Sequence, residues 1–231
     1  MCKYTPEEVA AAIDLACLKP AATSVDVSLC CQKAIQHGCA SVCVKPYHVP
    51  IAARLLENHP IGVGTVVSFP HGSDSPVVKT LACQDLMNAG ADELDMVLNI
   101  AAMKDGDWEI IEDEIQGAAQ ICSSYSVLLK VILETCYLTG PEITFACICA
   151  AREGADFVKT STGYGSGNAT PEAVRLMVEA VGLRGAGSKV AVKASGGIKT
   201  YADAERYLDL GCTRLGSSRV TELMPHYLEN E

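Results

Sequence analysis

Short runs of β-branched and other apolar residues alternate along this chain with longer stretches in which apolar positions recur at helical spacing. The runs at 13–18, 40–44, 62–68, 93–98, 127–134, 156–160, 189–193 and 213–216 read as strands. Between them, 25–36, 75–88, 108–122, 142–152, 171–181 and 200–210 read as helices. Thr23 or Ser24 supplies a cap for the first helix, and Thr170 followed by Pro171 opens the fifth. One helix-to-strand device recurs: H-G-C-A (37–40), N-A-G-A-D (88–92), R-E-G-A-D (152–156) and D-L-G-C (209–212) each place a glycine where a left-handed turn ends a helix.

Strands alternating with helices imply parallel pairing through right-handed crossovers. Eight such units predict an α/β fold, a (β/α)8 TIM barrel, with residues 1–231 forming one domain. The alternative is an open doubly wound sheet. No G-x-G-x-x-G follows the first strand, which weighs against its dinucleotide-binding form.

Composition narrows the function classes. The chain is 49% hydrophobic with mean hydropathy +0.20, enough for a large core. No apolar run reaches the ~18–20 residues of a membrane span. The opening M-C-K-Y-T-P-E-E-V lacks a signal-peptide pattern, so a cytoplasmic protein without a membrane partner is expected. A net charge of −10 argues against nucleic acid as a partner, yet a local nest of backbone amides can still hold an anion. The twelve cysteines show no paired zinc spacing and read as buried, inert thiols. His37, His48, His59, His71 and His226 are scattered, and no metal site is expected.

Candidate chemistry comes from charged residues in or at the ends of strand runs: Asp14, Asp95, Lys130, Glu134, Lys159 and Lys193. Three bases and three acids predict one mutually compensated network at the barrel mouth. Lys159 closes the run A-D-F-V-K and is followed by T-S-T-G; Lys193 stands in V-K-A-S-G-G. Burial and a cationic neighbour each lower a lysine pKa, and a neutral amine can attack a carbonyl. The plain alternative for either lysine is a buried ion pair. Asp95 is read as a proton shuttle or as a partner of Lys130. Glycine loops after strands six, seven and eight, carrying Gly163, Gly196, Gly197, Gly216 and Ser218, are the phosphate candidates.

At these residues the chain resembles the deoxyribose-phosphate aldolases, a class I aldolase family. The resemblance spans about residues 13–220 and rests on ordered motifs: I-D-x3-L-K-P-x-A-T, S-V-C-V-K-P, V-V-S-F-P-H-G, G-A-D-E-L-D-M-V-L-N, L-K-V-I-L-E-T, G-A-D-F-V-K-T-S-T-G, V-K-A-S-G-G-I and R-L-G-S-S. It implies a (β/α)8 barrel that reversibly cleaves 2-deoxy-D-ribose 5-phosphate to acetaldehyde and D-glyceraldehyde 3-phosphate, with no cofactor and no metal. It also implies that Lys159 forms the Schiff base, that Lys193 beside it tunes its pKa, and that Asp95 and Asp14 join the proton-transfer network. Phosphate would rest near Gly163, Gly196, Gly197, Gly216 and Ser218, with Cys43, Lys130 and Thr162 completing the substrate-binding set. Two departures stand out: Leu15 and Ala16 occupy the family's usual His-Thr pair, and Arg219 follows Ser218 where a small hydroxyl residue is common. Another imine-forming sugar-phosphate aldolase and a non-catalytic phosphosugar-binding barrel are the competing readings. The oligomeric state stays open, a homodimer being among the assemblies allowed.

Overall fold

The structure, a computed structural model, describes residues 3–182 and 190–224. The expected strand start at 189, and His226, lie outside the described residues. Eight strands run in order: β1 (Ile13–Cys17), β2 (Ser41–Val44), β3 (Gly62–Val67), β4 (Glu93–Val97), β5 (Leu128–Ile132), β6 (Phe157–Lys159), β7 (Ala191–Ser195) and β8 (Arg214–Ser217). Each pairs in parallel with its sequence neighbour, and β8 closes onto β1. The sheet is therefore a closed barrel, and the open doubly wound alternative is excluded.

The helices are α1 (Pro6–Ala11), α2 (Ser24–His37), α3 (Val49–Leu56), α4 (Pro76–Asn88), α5 (Ile100–Asp105), α6 (Trp108–Tyr125), α7 (Gly140–Glu153), α8 (Pro171–Gly182), α9 (Tyr201–Asp209) and α10 (Val220–Leu223). Thr23, not Ser24, caps α2, in a reciprocal box with Asp26. Gly38 and Gly154 end α2 and α7 in the left-handed conformation, as their junction motifs predict. The six predicted helices are all present. Four short ones escaped the pattern, α1, α3, α5 and α10. In α1 and α3 a proline reads as a breaker, yet it sits in the first turn, where its missing N–H has no intrahelical partner to lose.

Strand alternation divides the interior into two layers. Leu15, Leu94, Met96, Val131, Val158 and Val192 are buried in the apolar layer shared with the helices. The intervening positions face the barrel axis, where register aligns Asp95 with Lys130, and Lys159 with Lys193. The charged side chains thus converge from different strands without crossing the apolar layer.

One buried ion pair lies outside that axis. Lys79 of α4 meets Glu114 of α6 at 2.6 Å, both fully buried. Lys79 Nζ also donates to the Val97 carbonyl at 2.8 Å, and Glu114 Oε1 accepts from the Asn99 N–H at 2.7 Å. Together they clamp the end of β4, two residues beyond Asp95. Burial pushes Glu114 up to about 6 and pulls Lys79 down, so desolvation works against both charges. Lys79→Met, which strands Glu114, is expected to lower the unfolding free energy by about 3–5 kcal/mol. The loss should shrink as pH falls and Glu114 takes up a proton, and Lys79→Met/Glu114→Leu should recover much of it. Chemical denaturation midpoints against pH check all three expectations.

Candidate active site

Seven charged side chains meet inside the barrel: Asp14, Glu93, Asp95, Lys130, Lys159, Lys193 and Arg214. The four bases differ sharply in how many carboxylates they reach. Lys130 meets three, lying 3.0 Å from both Asp14 and Asp95 and bonded to Glu93. Its approach to Asp95 Oδ1 is an ion pair without hydrogen-bond alignment. Lys193 meets two, donating to Asp95 Oδ2 at 2.8 Å and to Asp14. Arg214 also meets two, donating to Asp14 and, at 2.8 Å, to Glu93. Lys159 meets one: its Nζ donates to Asp95 Oδ2 at 2.7 Å.

That gradient decides which base gives up its proton. Four bases face three carboxylates, so full ionisation would leave one uncompensated cation in a buried site, and the least compensated base is Lys159. Burial pulls its pKa down and the Lys193 ammonium pulls the same way, while Asp95, with a smaller push from Cys43, opposes them; the balance lies below the ordinary lysine value. Lys193 is buried too, but Asp14 and Asp95 outweigh its desolvation and hold it above the ordinary value. Lys130 is held well above it by Asp14, Asp95 and Glu93 against the same burial penalty. Burial works against the Asp14 and Asp95 carboxylates, but the surrounding cations overcome it and keep both charged. The site therefore presents the most readily deprotonated of the four bases beside a firmly charged ammonium, the two sharing one carboxylate oxygen.

A cleft of about 800 Å3 opens above this network at the C-terminal ends of the strands, the face on which barrel enzymes carry their chemistry. Lys159, Lys193, Asp14 and Cys43 reach its wall, and so do Thr162, Gly163, Gly196, Gly197, Gly216 and Ser218. Lys130 and Asp95 are not among the lining residues. Lys130 lies beneath the floor as the charge partner of Asp14, Glu93 and Asp95, and Asp95 joins Lys130, Lys159 and Lys193 there.

The loops after β6, β7 and β8 are held by their own hydroxyls. Thr160 Oγ1 donates to the Ser195 carbonyl at 3.1 Å and accepts from the Ser195 N–H at 3.0 Å. Ser195 Oγ donates to the Ser161 carbonyl, and Ser217 Oγ to that of Ile198 at 3.0 Å. A Cβ on Gly216 would stand 2.7 Å from Ser195 Cβ, so only glycine lets these two loops approach. Outside this cradle, Lys19, Lys33, Lys199 and Arg219 also line the cleft, a local basic wall on a chain whose net charge is −10. That wall and the glycine loops suit a phosphorylated ligand.

Several expectations change. Glu134 does not join the charge network. β5 ends at Ile132, the backbone at Glu134 turns left-handed (φ 53°), and its carboxylate accepts from the Thr162 N–H at 3.2 Å and from the Thr162 hydroxyl. Glu134 and Thr162 thus brace the β6 loop together. Glu93 and Arg214 were missed, although both lie in runs read as strands. The available signal was parity: Glu93 stands two residues before Asp95 on β4, and Arg214 pairs in register with Lys193. Of the residues replacing the His-Thr pair, Leu15 is buried in the apolar layer, whereas Ala16 pairs with Cys43. Burial pushes the Cys43 thiol up to about 11, which keeps it protonated at neutral pH.

Comparison with known proteins converges on one family. A model described as DeoC/LacD family aldolase matches residues 8–211. The chain is 42% identical over 212 residues to the deoxyribose-phosphate aldolase of Clostridium perfringens, covering 92% of each chain. It is 45% identical over 227 residues to that of Carboxydothermus hydrogenoformans, covering 97% of each. It also superimposes on the tetrameric deoxyribose-phosphate aldolase of Aeropyrum pernix with a TM-score of 0.88, at 28% identity, over 97% of this chain and 93% of that one.

Proposed function

The chain belongs to the DeoC/LacD aldolase family, and from that membership we propose that it reversibly cleaves 2-deoxy-D-ribose 5-phosphate into acetaldehyde and D-glyceraldehyde 3-phosphate, with Lys159 as the Schiff-base lysine. The observation that carries the assignment is the position of Lys159: it faces the cleft and is the one base of four with a single carboxylate partner.

The unprotonated Lys159 amine adds to the C1 carbonyl carbon of the open-chain sugar. The carbinolamine loses water, leaving an iminium bonded through Nζ. Removal of the proton from the C3 hydroxyl lets the C2–C3 bond break, and its electron pair passes into the iminium as an enamine while glyceraldehyde 3-phosphate departs. Protonation at C2 and hydrolysis then release acetaldehyde and the free amine. The imine supplies the electron sink, dividing one difficult bond cleavage into easier steps. The Lys193 ammonium and Asp95 hold and return protons beside Nζ, their separation from one another being 2.8 Å. Asp14 keeps Lys193 charged for that task. Phosphate rests on the loops carrying Gly163, Gly196, Gly197, Gly216 and Ser218, with Arg219 beside them.

The decisive experiment is borohydride trapping in the presence of 2-deoxyribose 5-phosphate, with mass spectrometry of the peptides. A substrate-dependent reduced adduct on Lys159 is expected; an adduct on Lys193 alone, or ligand binding without any adduct, would overturn the assignment. A cytoplasmic location and a homodimer complete the proposal. Among the described residues no helix is long and apolar enough to cross a membrane. Analytical ultracentrifugation distinguishes a dimer from a tetramer.

A further inference from the structure

Eleven described cysteines are free thiols, nine of them buried. Most have the protonated, enclosed character of small core residues, since burial raises thiols such as Cys39 and Cys149 to about 12. Cys17 differs. It is the last residue of β1, half-buried, and it reaches the wall of the cleft together with Cys30 from the middle of α2. The Cys30 Sγ donates to the Leu15 carbonyl oxygen at 3.7 Å, over the outward face of β1 that Leu15 shares with Cys17, and Cys30 is the neighbour that most perturbs the Cys17 thiol.

We propose that Cys17 and Cys30 form a thiol-modification site, in which a hydroperoxide oxidises Cys17 and Cys30 then closes an intramolecular disulfide. The surroundings divide the two roles. The neighbouring Cys30 thiol lowers Cys17 to about 7, with Lys45 and Lys19 adding to it against burial and Asp26. The Cys17 neighbour and burial push Cys30 far above the ordinary thiol value. Cys17, the more exposed of the two on the cleft wall, is therefore the nucleophile, and Cys30, buried in α2, the resolving thiol. Lys45 is fixed on this loop by its hydrogen bonds to the Pro20 and Ala22 carbonyls, at 2.7 and 3.2 Å.

The chemistry balances without a cofactor. The Cys17 thiolate attacks one peroxide oxygen; the O–O bond breaks, the other oxygen leaves as an alcohol or water on taking a proton, and sulfur becomes a sulfenic acid. The Cys30 sulfur then attacks that sulfur; the S–S bond forms, the S–O bond breaks, and the hydroxyl departs as water with the Cys30 proton. Two thiols and one hydroperoxide give one disulfide, water and the alcohol.

A second thiol pair provides an internal control. Cys83 is likewise the neighbour that most raises the Cys122 thiol, but the two lie 0% and 1% exposed. Both pairs have proximity; only one is open to solvent. Reduced protein treated with hydrogen peroxide at neutral pH, blocked with N-ethylmaleimide and mapped without reductant should show a Cys17–Cys30 link. That link should form at least about tenfold faster than any Cys83–Cys122 link, because thiol oxidation follows thiolate character and access, and dithiothreitol should remove it. Cys30→Ser should leave Cys17 as a sulfenic acid captured by dimedone. Equal rates for the two pairs, an over-oxidised Cys17 beside a free Cys30 in the unsubstituted protein, or no oxidation at either residue would overturn the proposal. No aldol substrate enters this test, so its failure is separate from failure of the proposed reaction.

Discussion

Replacing Lys159 with alanine is expected to reduce the cleavage rate of 2-deoxyribose 5-phosphate by at least about 10^3-fold, because the covalent route is lost and not merely slowed. The protein should stay folded. Among the described residues Lys159 forms an ion pair with Asp95 alone, and Asp95 keeps Lys130 and Lys193 after the substitution. Removing Lys159 leaves three bases facing three carboxylates, so the barrel interior stays compensated. The chemical denaturation midpoint should therefore be unchanged or raised while turnover disappears. Lys159→Arg should be equally inactive, since a guanidinium keeps the charge but forms no imine under these conditions. Retained turnover in either variant, with circular dichroism unchanged, would remove Lys159 from the reaction.

Lys193→Met is expected to act through Lys159. With Lys193 absent, Lys159 loses a cationic neighbour and gains sole use of Asp95 Oδ2, and both changes raise its pKa. The charge count leads to the same result. Three carboxylates then face three bases, and neutrality requires Lys159 to be protonated. Since the amine reacts only when neutral, activity rises with pH through the pKa of Lys159, and that limb should move to higher pH in the variant. On the acid side of the limb, every pH unit it moves lowers the neutral fraction tenfold, so a loss of about 10^2-fold or more is expected at neutral pH. Part of the loss should be recovered in alkaline buffer. The full pH dependence of kcat, measured beside borohydride trapping rates, tests this. A uniformly lower profile with no alkaline movement would show Lys193 acting only as a proton donor.

How much of this site was readable before the fold depended on whether the signal was local. Lys159 and Lys193 stood out because each ends or interrupts an apolar run and is followed by glycine, a pattern contained within a few residues. The glycine loops that line the cleft were legible for the same reason. Glu134 looked equivalent, yet the strand ended two residues earlier and its carboxylate turned to the Thr162 loop, a choice made by a backbone turn that apolar periodicity does not register. Glu93 and Arg214 were legible in principle through strand parity, but parity yields a partner only once the register between strands is known. The Lys79–Glu114 clamp joins two helices 35 positions apart in the chain and has no local signature at all.

By itself the sequence determined the eight-unit alternation, the six principal helices, the left-handed glycine turns and the two lysines, because each depends on periodicity or on conformational preferences confined to one segment. Only the tertiary structure decided which lysine is the least compensated. That choice rests on unequal sharing of three carboxylates among four bases, brought together by barrel closure from strands as far apart in sequence as Asp14 and Arg214. Electrostatic compensation in a buried site depends on distances across the axis, and those distances exist only after β8 has met β1.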